Sequence, residues 1–214
     1  MGLRRYPLVF GLAWAIFLLN LAQYGLHATW VLYTKYRYDW SSRDVGLSLM
    51  VVGLCAAAVQ GGLARRVIPM LGERRAKLIG FSIAAMAYIG YGVAPAGWVL
   101  YVVIVIGSLG AIGQPAGQGL ISRTVGADEQ GEIQGGITSL VSIAGVIGPI
   151  LGGSVFGYFI AQPPPLGEPL PGAPFFVSAL LAGGGLAVAA FTFKRTPSAR
   201  AEEATVPAQA RSST

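Results

Sequence analysis

The stretch from Trp98 to Ile121, WVLYVVIVIGSLGAIGQPAGQGLI, decides the fold class because it contains no charged side chain. A helix needs about 20 predominantly apolar residues to cross the hydrocarbon core of a bilayer. This stretch is continuously apolar, whereas the strands of a membrane barrel alternate between apolar and polar residues. It therefore predicts a transmembrane helix.

The composition of the whole chain agrees with a membrane protein. Of the 214 residues, 54% are hydrophobic and 11% are charged, whereas soluble domains carry about 25% charged residues. A soluble domain of this length has too little interior to bury so much apolar surface. The single cysteine, Cys55, and the single histidine, His27, exclude a disulfide framework and a metal centre built from Cys or His clusters. We expect neither a metal nor a cofactor.

Five further stretches share this apolar character, which predicts an all-α, polytopic bundle of six transmembrane helices. The predicted spans are Leu8–Tyr33, Val45–Ala64, Leu78–Ala94, Trp98–Ile121, Ile133–Ala161 and Pro174–Phe193. The bundle is expected to occupy residues 1–196. Residues 197–214 lack an apolar face, so we expect them to form a disordered tail.

The basic residues are divided unequally between the two sides of the predicted bundle. Of the 15 Lys and Arg residues, only Lys35, Arg37 and Arg43 fall on the side of the first, third and fifth loops. The positive-inside rule therefore places both termini in the cytoplasm. It also accounts for the basic isoelectric point without a nucleic-acid partner.

The start of the chain allows a second interpretation, a cleaved signal peptide. Arg4 and Arg5 precede the first span, and Ala13-Trp14-Ala15 has the form of a cleavage site. The apolar sequence continues well beyond that site, whereas the apolar region of a signal peptide runs only about 7–15 residues. We therefore expect this segment to be retained as a membrane span.

No acidic residue falls inside a predicted span. Intramembrane carboxylates are costly and are kept for functions such as proton relay. The sequence therefore offers no obvious intramembrane carboxylate to carry protons.

Neutral polar residues do occur inside the spans, and they are our candidates for a substrate path. Those of the first span recur at the spacing of one helical face. The candidates are Asn20, Gln23, His27, Gln60, Gln114 and Gln118. Two interpretations stay open: a polar cavity between helices, or interhelical hydrogen bonds worth about 0.6 kcal/mol per pair.

A glycine-rich run marks the fifth predicted span. It contains Gly145, Gly148, Pro149, Gly152 and Gly153. Small residues let a second helix approach closely, and the proline favours a kink because it frees a backbone carbonyl. The run predicts either a helix that can slide against a neighbour or plain close packing.

Several short motifs follow one another in a fixed order between residues 30 and 153. They include Trp30-Val31-Leu32, Gly46-Leu47-Ser48-Leu49, Leu71-Gly72-Glu73-Arg74-Arg75-Ala76, Gly110-Ala111-Ile112-Gly113-Gln114-Pro115 and Gly148-Pro149. In this order and spacing they resemble the C-terminal half of a major facilitator superfamily transporter of the tetracycline–proton antiporter type.

The resemblance implies half of a larger fold. Transporters of that superfamily have two six-helix halves, each built from inverted three-helix repeats, with the substrate between the halves near the midplane. Gly72, Arg74 and Arg75 match the family's cytoplasmic loop signature, although Pro69 stands where its acidic residue usually lies. The run around Gly148-Pro149 resembles the antiporter glycine–proline motif.

The resemblance also leaves alternatives. The first half of such a transporter usually carries an acid in its first helix and an Asp-Arg pair in its second loop, and neither occurs here, which favours the second half. The function implied is export of a small amphiphilic compound across the bacterial inner membrane. The implied partner is a second six-helix half or a second copy of the chain, and protons would enter through that partner. The alternative is a non-transporting membrane protein, a regulator or inactive remnant, that packs against a full-length transporter. No nucleophile–base constellation indicates an enzyme.

Overall fold

The computed structural model describes residues 5–161, 163 and 167–196. Every regular element in those ranges is a helix. Six helical segments in this part of the chain are long and apolar enough to cross a membrane. The predicted all-α class and the predicted number of spans are confirmed. The expected tail, residues 197–214, lies outside the described residues.

Two of the six spans contain an irregular turn. The spans are Pro7–Tyr38, Ser42–Leu71, Glu73–Val93, Gly97–Thr124, Gln130–Ile160 and Ala173–Arg195, numbered 1 to 6 below. Span 2 changes from α-helix to π-helix over Val59–Leu63. Span 4 passes through a 3₁₀ turn over Leu109–Ile112. The two irregular turns pack together, because Val59 and Ile112 belong to one apolar cluster.

The predicted spans Val45–Ala64 and Leu78–Ala94 leave residues 65–77 as a loop between them, and this prediction is wrong, because almost all of that region is helical. Span 2 continues to Leu71, and span 3 begins at Glu73. Only Gly72 interrupts the helices, with φ of 78°. Hydropathy does not detect the helical turns at the end of span 2 and the start of span 3, because a charged helix end that projects from the bilayer has the composition of a loop. Lys77, which was expected in the loop, lies inside span 3 and is buried.

Span 1 is likewise longer than predicted, and its extension carries two of the three basic residues assigned to the outer side. It reaches Tyr38 and ends at Asp39, whose φ is 53°. The ammonium of Lys35 lies 2.5 Å from the carboxylate of Asp39. The charged side chains hid this helical turn from hydropathy.

The spans pair in a symmetric pattern. Span 1 packs against spans 5 and 6, span 4 packs against spans 2 and 3, and spans 3 and 6 pack together. Exchanging spans 1, 2 and 3 with spans 4, 5 and 6 leaves this set of pairs unchanged. Two three-helix repeats require such a pattern, so the arrangement agrees with half of a major facilitator fold.

An aromatic cluster joins three spans at one end of the bundle. Trp30 and Tyr33 of span 1, Tyr91 of span 3 and Phe175 of span 6 meet edge to face. The Tyr33 hydroxyl donates to the carbonyl of Tyr91 at 2.6 Å. Edge-to-face pairs add about 0.5–1.5 kcal/mol each beyond burial of their area. The cluster therefore fixes spans 1, 3 and 6 relative to one another.

Candidate functional site

A cavity of about 500 Å³ lies between spans 1, 2, 3 and 4. Its size falls within the range of pockets that hold small molecules, about 300–1,000 Å³. Aliphatic side chains line most of it, and the polar side chains on its wall are Gln23, His27, Gln60, Ser108 and Gln114. It is therefore an apolar cavity with a few hydrogen-bonding groups.

Four of the six predicted path residues lie on this cavity. Gln23 and His27 stand one turn apart on span 1, and both are exposed. Gln60 comes from the π-helical turn of span 2, and Gln114 follows the 3₁₀ turn of span 4. Pro115 has no N–H to donate to the preceding turn, which favours the irregular geometry beside Gln114. The two irregular turns thus bring two amides from different spans to one cavity wall.

The other two predicted path residues do not line the cavity. The Asn20 amide donates to the carbonyl of Ile16 at 2.8 Å, within its own helix. The Gln118 amide donates to Gln134 of span 5 at 3.1 Å. For these two residues the geometry matches the plainer interpretation, hydrogen bonding within the bundle.

Span 3 forms part of the cavity wall, which sequence reasoning missed. The six predicted path residues all come from spans 1, 2 and 4. Span 3 instead contributes Gly80, Ala84 and Ala87, and no described residue of span 5 lines the cavity. The small residues of span 3 let spans 3 and 4 approach closely: a methyl group added at Gly80 would lie 2.8 Å from the Gly110 carbonyl oxygen.

Aromatic side chains at one end of the cavity were also missed. Trp30, Tyr88 and Tyr91 line it there. The indole of Trp30 donates to the Ser48 hydroxyl at 3.1 Å, which links spans 1 and 2. Tyr88 and Tyr91 are three residues apart, so they share one face of span 3. That spacing was the available signal in the sequence.

The glycine-rich run of span 5 packs against span 1. A methyl group added at Gly152 would lie 2.6 Å from the Gly25 carbonyl oxygen, and one added at Gly148 would lie 3.0 Å from the Leu21 carbonyl oxygen. Gly145 is in ordinary contact with Tyr24, whereas Gly153 faces open space. Pro149 lies within the helix and is exposed. Of the four glycines, therefore, Gly148 and Gly152 are the ones that the close approach of spans 1 and 5 requires.

The residues of the predicted loop signature lie at the junction of spans 2 and 3. Gly72 supplies the positive φ that ends span 2. Arg74 donates to the carbonyls of Phe193 at 3.2 Å and Thr196 at 2.6 Å, at the end of span 6. Arg75 is exposed. Arg74 therefore joins span 3 to the end of span 6.

Two further ion pairs lie at this end of the bundle. Arg123 of span 4 lies 3.4 Å from Glu73 of span 3. Arg5 and the hydroxyl of Tyr6 both donate to the carboxylate of Glu129. The bond to that carboxylate raises the pKa of Tyr6, because it favours the protonated phenol. These contacts link spans 3 and 4, and the start of span 1 to the start of span 5.

Comparison with known proteins places the chain in a family. The sequence model of the Major Facilitator Superfamily matches residues 2–149. The chain is 36% identical to the class H tetracycline resistance protein of Pasteurella multocida over 62% of its own length. It is 31% identical to the class C tetracycline resistance protein of Escherichia coli over 69% of its length.

A mammalian relative is more distant, and all three matches cover only part of the relative. The Hippocampus abundant transcript 1 protein of Mus musculus is 29% identical over 67% of the chain. The match spans 33% of the class H protein, 37% of the class C protein and 29% of the mouse protein, about a third of each relative's length. The family model matches more than half of the chain, and the described part of the chain has six helices that are long and apolar enough to cross a membrane. The chain therefore belongs to the Major Facilitator Superfamily.

Proposed function

We propose that this chain is the C-terminal six-helix half of a drug–proton antiporter that exports a small amphiphilic compound of the tetracycline class. It would transport by alternating access together with a second six-helix half. We infer a transporter rather than an enzyme from the membership of the superfamily. The observation that carries the proposal is the cavity, where neutral amides and His27 of three spans converge on an otherwise apolar wall.

The exposed faces of spans 2 and 5 support the need for a partner. In the apolar 18-residue stretch of each span, only 17% is buried in span 2 and 22% in span 5. Leu54 on span 2 and Val146 and Ile150 on span 5 are each more than 60% exposed. The two spans exchange under the internal symmetry, so they flank the bundle in equivalent positions. We infer that these faces contact the lipid bilayer and the second half, or a second copy of the chain.

The positions of the carboxylates favour proton coupling through that partner. Among the described residues of the spans, Asp44, Glu73 and Glu132 are the acidic ones, and each stands in the first turn of its helix. None reaches the interior of a span. Protons would therefore be carried by carboxylates of the complementary half.

The distribution of positive charge supports an orientation in the bacterial inner membrane. The end of the bundle that carries Arg74, Arg75, Arg123 and Arg195 is the basic one. By the positive-inside rule this end would face the cytoplasm together with both termini.

A second candidate function follows from the same carboxylate positions. A chain whose described spans hold no carboxylate in their interior also suits a non-transporting protein that packs against a full-length relative through spans 2 and 5. Such a protein would change the activity of the relative and would carry no substrate itself.

Co-expression tests the proposal against this alternative. The chain is expressed in tetracycline-sensitive cells alone, with the separately encoded first half of a tetracycline resistance protein, and with an intact one, and drug accumulation is measured. We expect accumulation to fall only when the chain and the first half are present together, because only then is the path enclosed on both sides. Unchanged accumulation with verified membrane insertion of both halves would contradict the proposal. An altered activity of the intact transporter would instead favour the second function.

A further inference from the structure

The last two turns of span 2 carry two adjacent arginines. Arg65 and Arg66 lie in the α-helical end of the span, Ala64–Leu71, and both side chains are exposed. Within the described part of the chain, neither guanidinium forms an ion pair or a hydrogen bond. Both groups are therefore available to a partner from outside the bundle.

The acidic residues that come nearest to these arginines along the chain are engaged elsewhere. Glu73, the first acid after them, lies 3.4 Å from Arg123 of span 4. Asp44, the first acid before them, forms a capping box with Ser41 at the opposite end of span 2. No residue between 45 and 72 is acidic. The positive charge of this helix end is therefore not balanced by span 2 itself.

Apolar side chains lie beside one of the two arginines. Leu63, Arg66 and Met70 are three and four residues apart, so they follow one face of the helix. Leu63 is 38% exposed and Met70 is 84% exposed. The other face is covered, because Val67 and Ile68 pack on the apolar cluster of the two irregular turns. A cation between exposed apolar groups is typical of a helix at the boundary between acyl chains and headgroups.

The length of span 2 brings this helix end to the headgroups. Its 30 residues measure about 45 Å at a rise of roughly 1.5 Å per residue. The hydrocarbon core of a bilayer is only about 30 Å thick, and the bilayer with its headgroups measures about 40–45 Å. A helix of this length that begins at one surface therefore ends among the headgroups of the other leaflet.

A negatively charged phospholipid fits this combination of groups. Arginine binds phosphate through strong, charge-assisted hydrogen bonds, and basic residues next to the hydrocarbon core attract anionic lipids. The acyl chains of such a lipid would meet the exposed side chains of Leu63 and Met70. A soluble phosphate would use the arginines but would leave these two apolar side chains without a contact.

We propose that the end of span 2 binds an anionic phospholipid of the phosphatidylglycerol type, with Arg65 and Arg66 on the phosphate and with Leu63 and Met70 against the acyl chains. The inference goes beyond the proposed function, because it requires neither transport nor a second half. The site would be the same for either orientation of the bundle, since it belongs to whichever leaflet the basic end reaches.

A lipid titration tests the inference. The full chain in detergent is titrated with dioleoylphosphatidylglycerol or with dioleoylphosphatidylcholine, and native mass spectrometry measures the fraction of chains that hold one lipid. Each basic residue next to an anionic lipid contributes a factor of about five in affinity. The two arginines therefore predict a preference of about 25-fold for phosphatidylglycerol. Glycerol 3-phosphate is added as a soluble competitor and is expected not to displace the lipid.

Three variants separate the charged contact from the apolar one. Arg65→Gln/Arg66→Gln is expected to lower the affinity for phosphatidylglycerol about 25-fold and to leave that for phosphatidylcholine unchanged. Arg65→Lys/Arg66→Lys keeps both charges and should retain most of the preference. Met70→Ser is expected to weaken the binding of both lipids alike, because it removes an apolar contact.

Two controls remove positive charge elsewhere. Arg43→Gln changes an exposed arginine at the opposite end of span 2. Lys194→Gln/Arg195→Gln removes two exposed cations from the end of span 6. Both control chains should retain the preference for phosphatidylglycerol.

Equal affinities of the wild-type chain for the two lipids would overturn the inference, even if the variants failed to fold. A preference that survives in a folded Arg65→Gln/Arg66→Gln chain would overturn it as well. An equally large loss in the Lys194→Gln/Arg195→Gln chain would show that net charge alone governs binding, and displacement by glycerol 3-phosphate would indicate a site for a soluble phosphate. Either result would contradict the assignment. None of these outcomes bears on whether the chain completes a transporter, which the drug accumulation experiment decides separately.

Discussion

Replacing Gly152 with alanine is expected to lower the free energy of unfolding by about 3 kcal/mol, the upper range for overpacking a close contact. The new methyl group would lie 2.6 Å from the carbonyl oxygen and 2.9 Å from the α-carbon of Gly25. Both are backbone atoms of span 1, so no side chain can move aside, and the two spans must separate. Denaturant titration in detergent micelles, followed by circular dichroism, measures the change.

The adjacent glycine provides the matched control. A methyl group added at Gly153 meets no atom within 4 Å. Alanine is favoured over glycine in a helix by up to about 1 kcal/mol, so Gly153→Ala is expected to be neutral or stabilising. Equal losses of stability for the two variants would show that spans 1 and 5 do not pack as described.

Replacing Gln114 with alanine is expected to lower drug export about tenfold, which corresponds to the loss of one hydrogen bond of roughly 1.4 kcal/mol. Gln114 lies on the cavity wall, at the irregular turn of span 4. The Gln114 amide and the Ser108 hydroxyl are the polar groups that span 4 contributes to the cavity wall. Initial rates of tetracycline export are compared in cells that also express the complementary half.

Gln118 is the matched control for this variant. It lies one turn further along span 4, and its amide bonds to Gln134 of span 5. Gln118→Ala removes the same side chain from the same helix outside the cavity, so export is expected to stay near the wild-type rate. A larger loss for Gln118→Ala than for Gln114→Ala would place the substrate path on the side of span 5.

The membrane fold could be predicted from the sequence because its cause is local. A run such as residues 98–121 is apolar over the length that a bilayer requires, and no tertiary contact is needed to recognise it. The ends of the helices could not be predicted in this way. The turn around Lys35 and Arg37 is helical, yet its charges give it the composition of a loop.

The interior of the bundle was harder to predict, because composition does not say which face of a helix is covered. Lys77 follows a run of arginines and was assigned with them to a loop, but the glycines of span 4 enclose it. Gly152 and Gly153 are chemically identical neighbours, and only the first faces span 1. Such differences depend on the rotation of a helix against its partner.

The candidate path was predicted in part for the same reason. Polar residues inside a membrane helix must find a partner or a cavity, so Gln23, His27, Gln60 and Gln114 were identifiable as a group. The sequence did not distinguish them from Asn20, which bonds within its own helix. For span 3, the one sign in the sequence was the spacing of Tyr88 and Tyr91, since the other residues that it contributes to the cavity wall are small and apolar.

The threading of the chain through the membrane is the claim on which the cavity, the orientation and the transporter proposal all depend. Cys55 is the one cysteine of the chain, so Cys55→Ser provides a cysteine-free background. Single cysteines are introduced by Pro95→Cys between spans 3 and 4, by Arg75→Cys near the start of span 3, and by Arg195→Cys at the end of span 6. A membrane-impermeant maleimide is then applied to intact and to permeabilised cells. The account predicts labelling of the Pro95→Cys chain in intact cells and labelling of the other two only after permeabilisation. Labelling of the Arg75→Cys or Arg195→Cys chain from outside intact cells would contradict it.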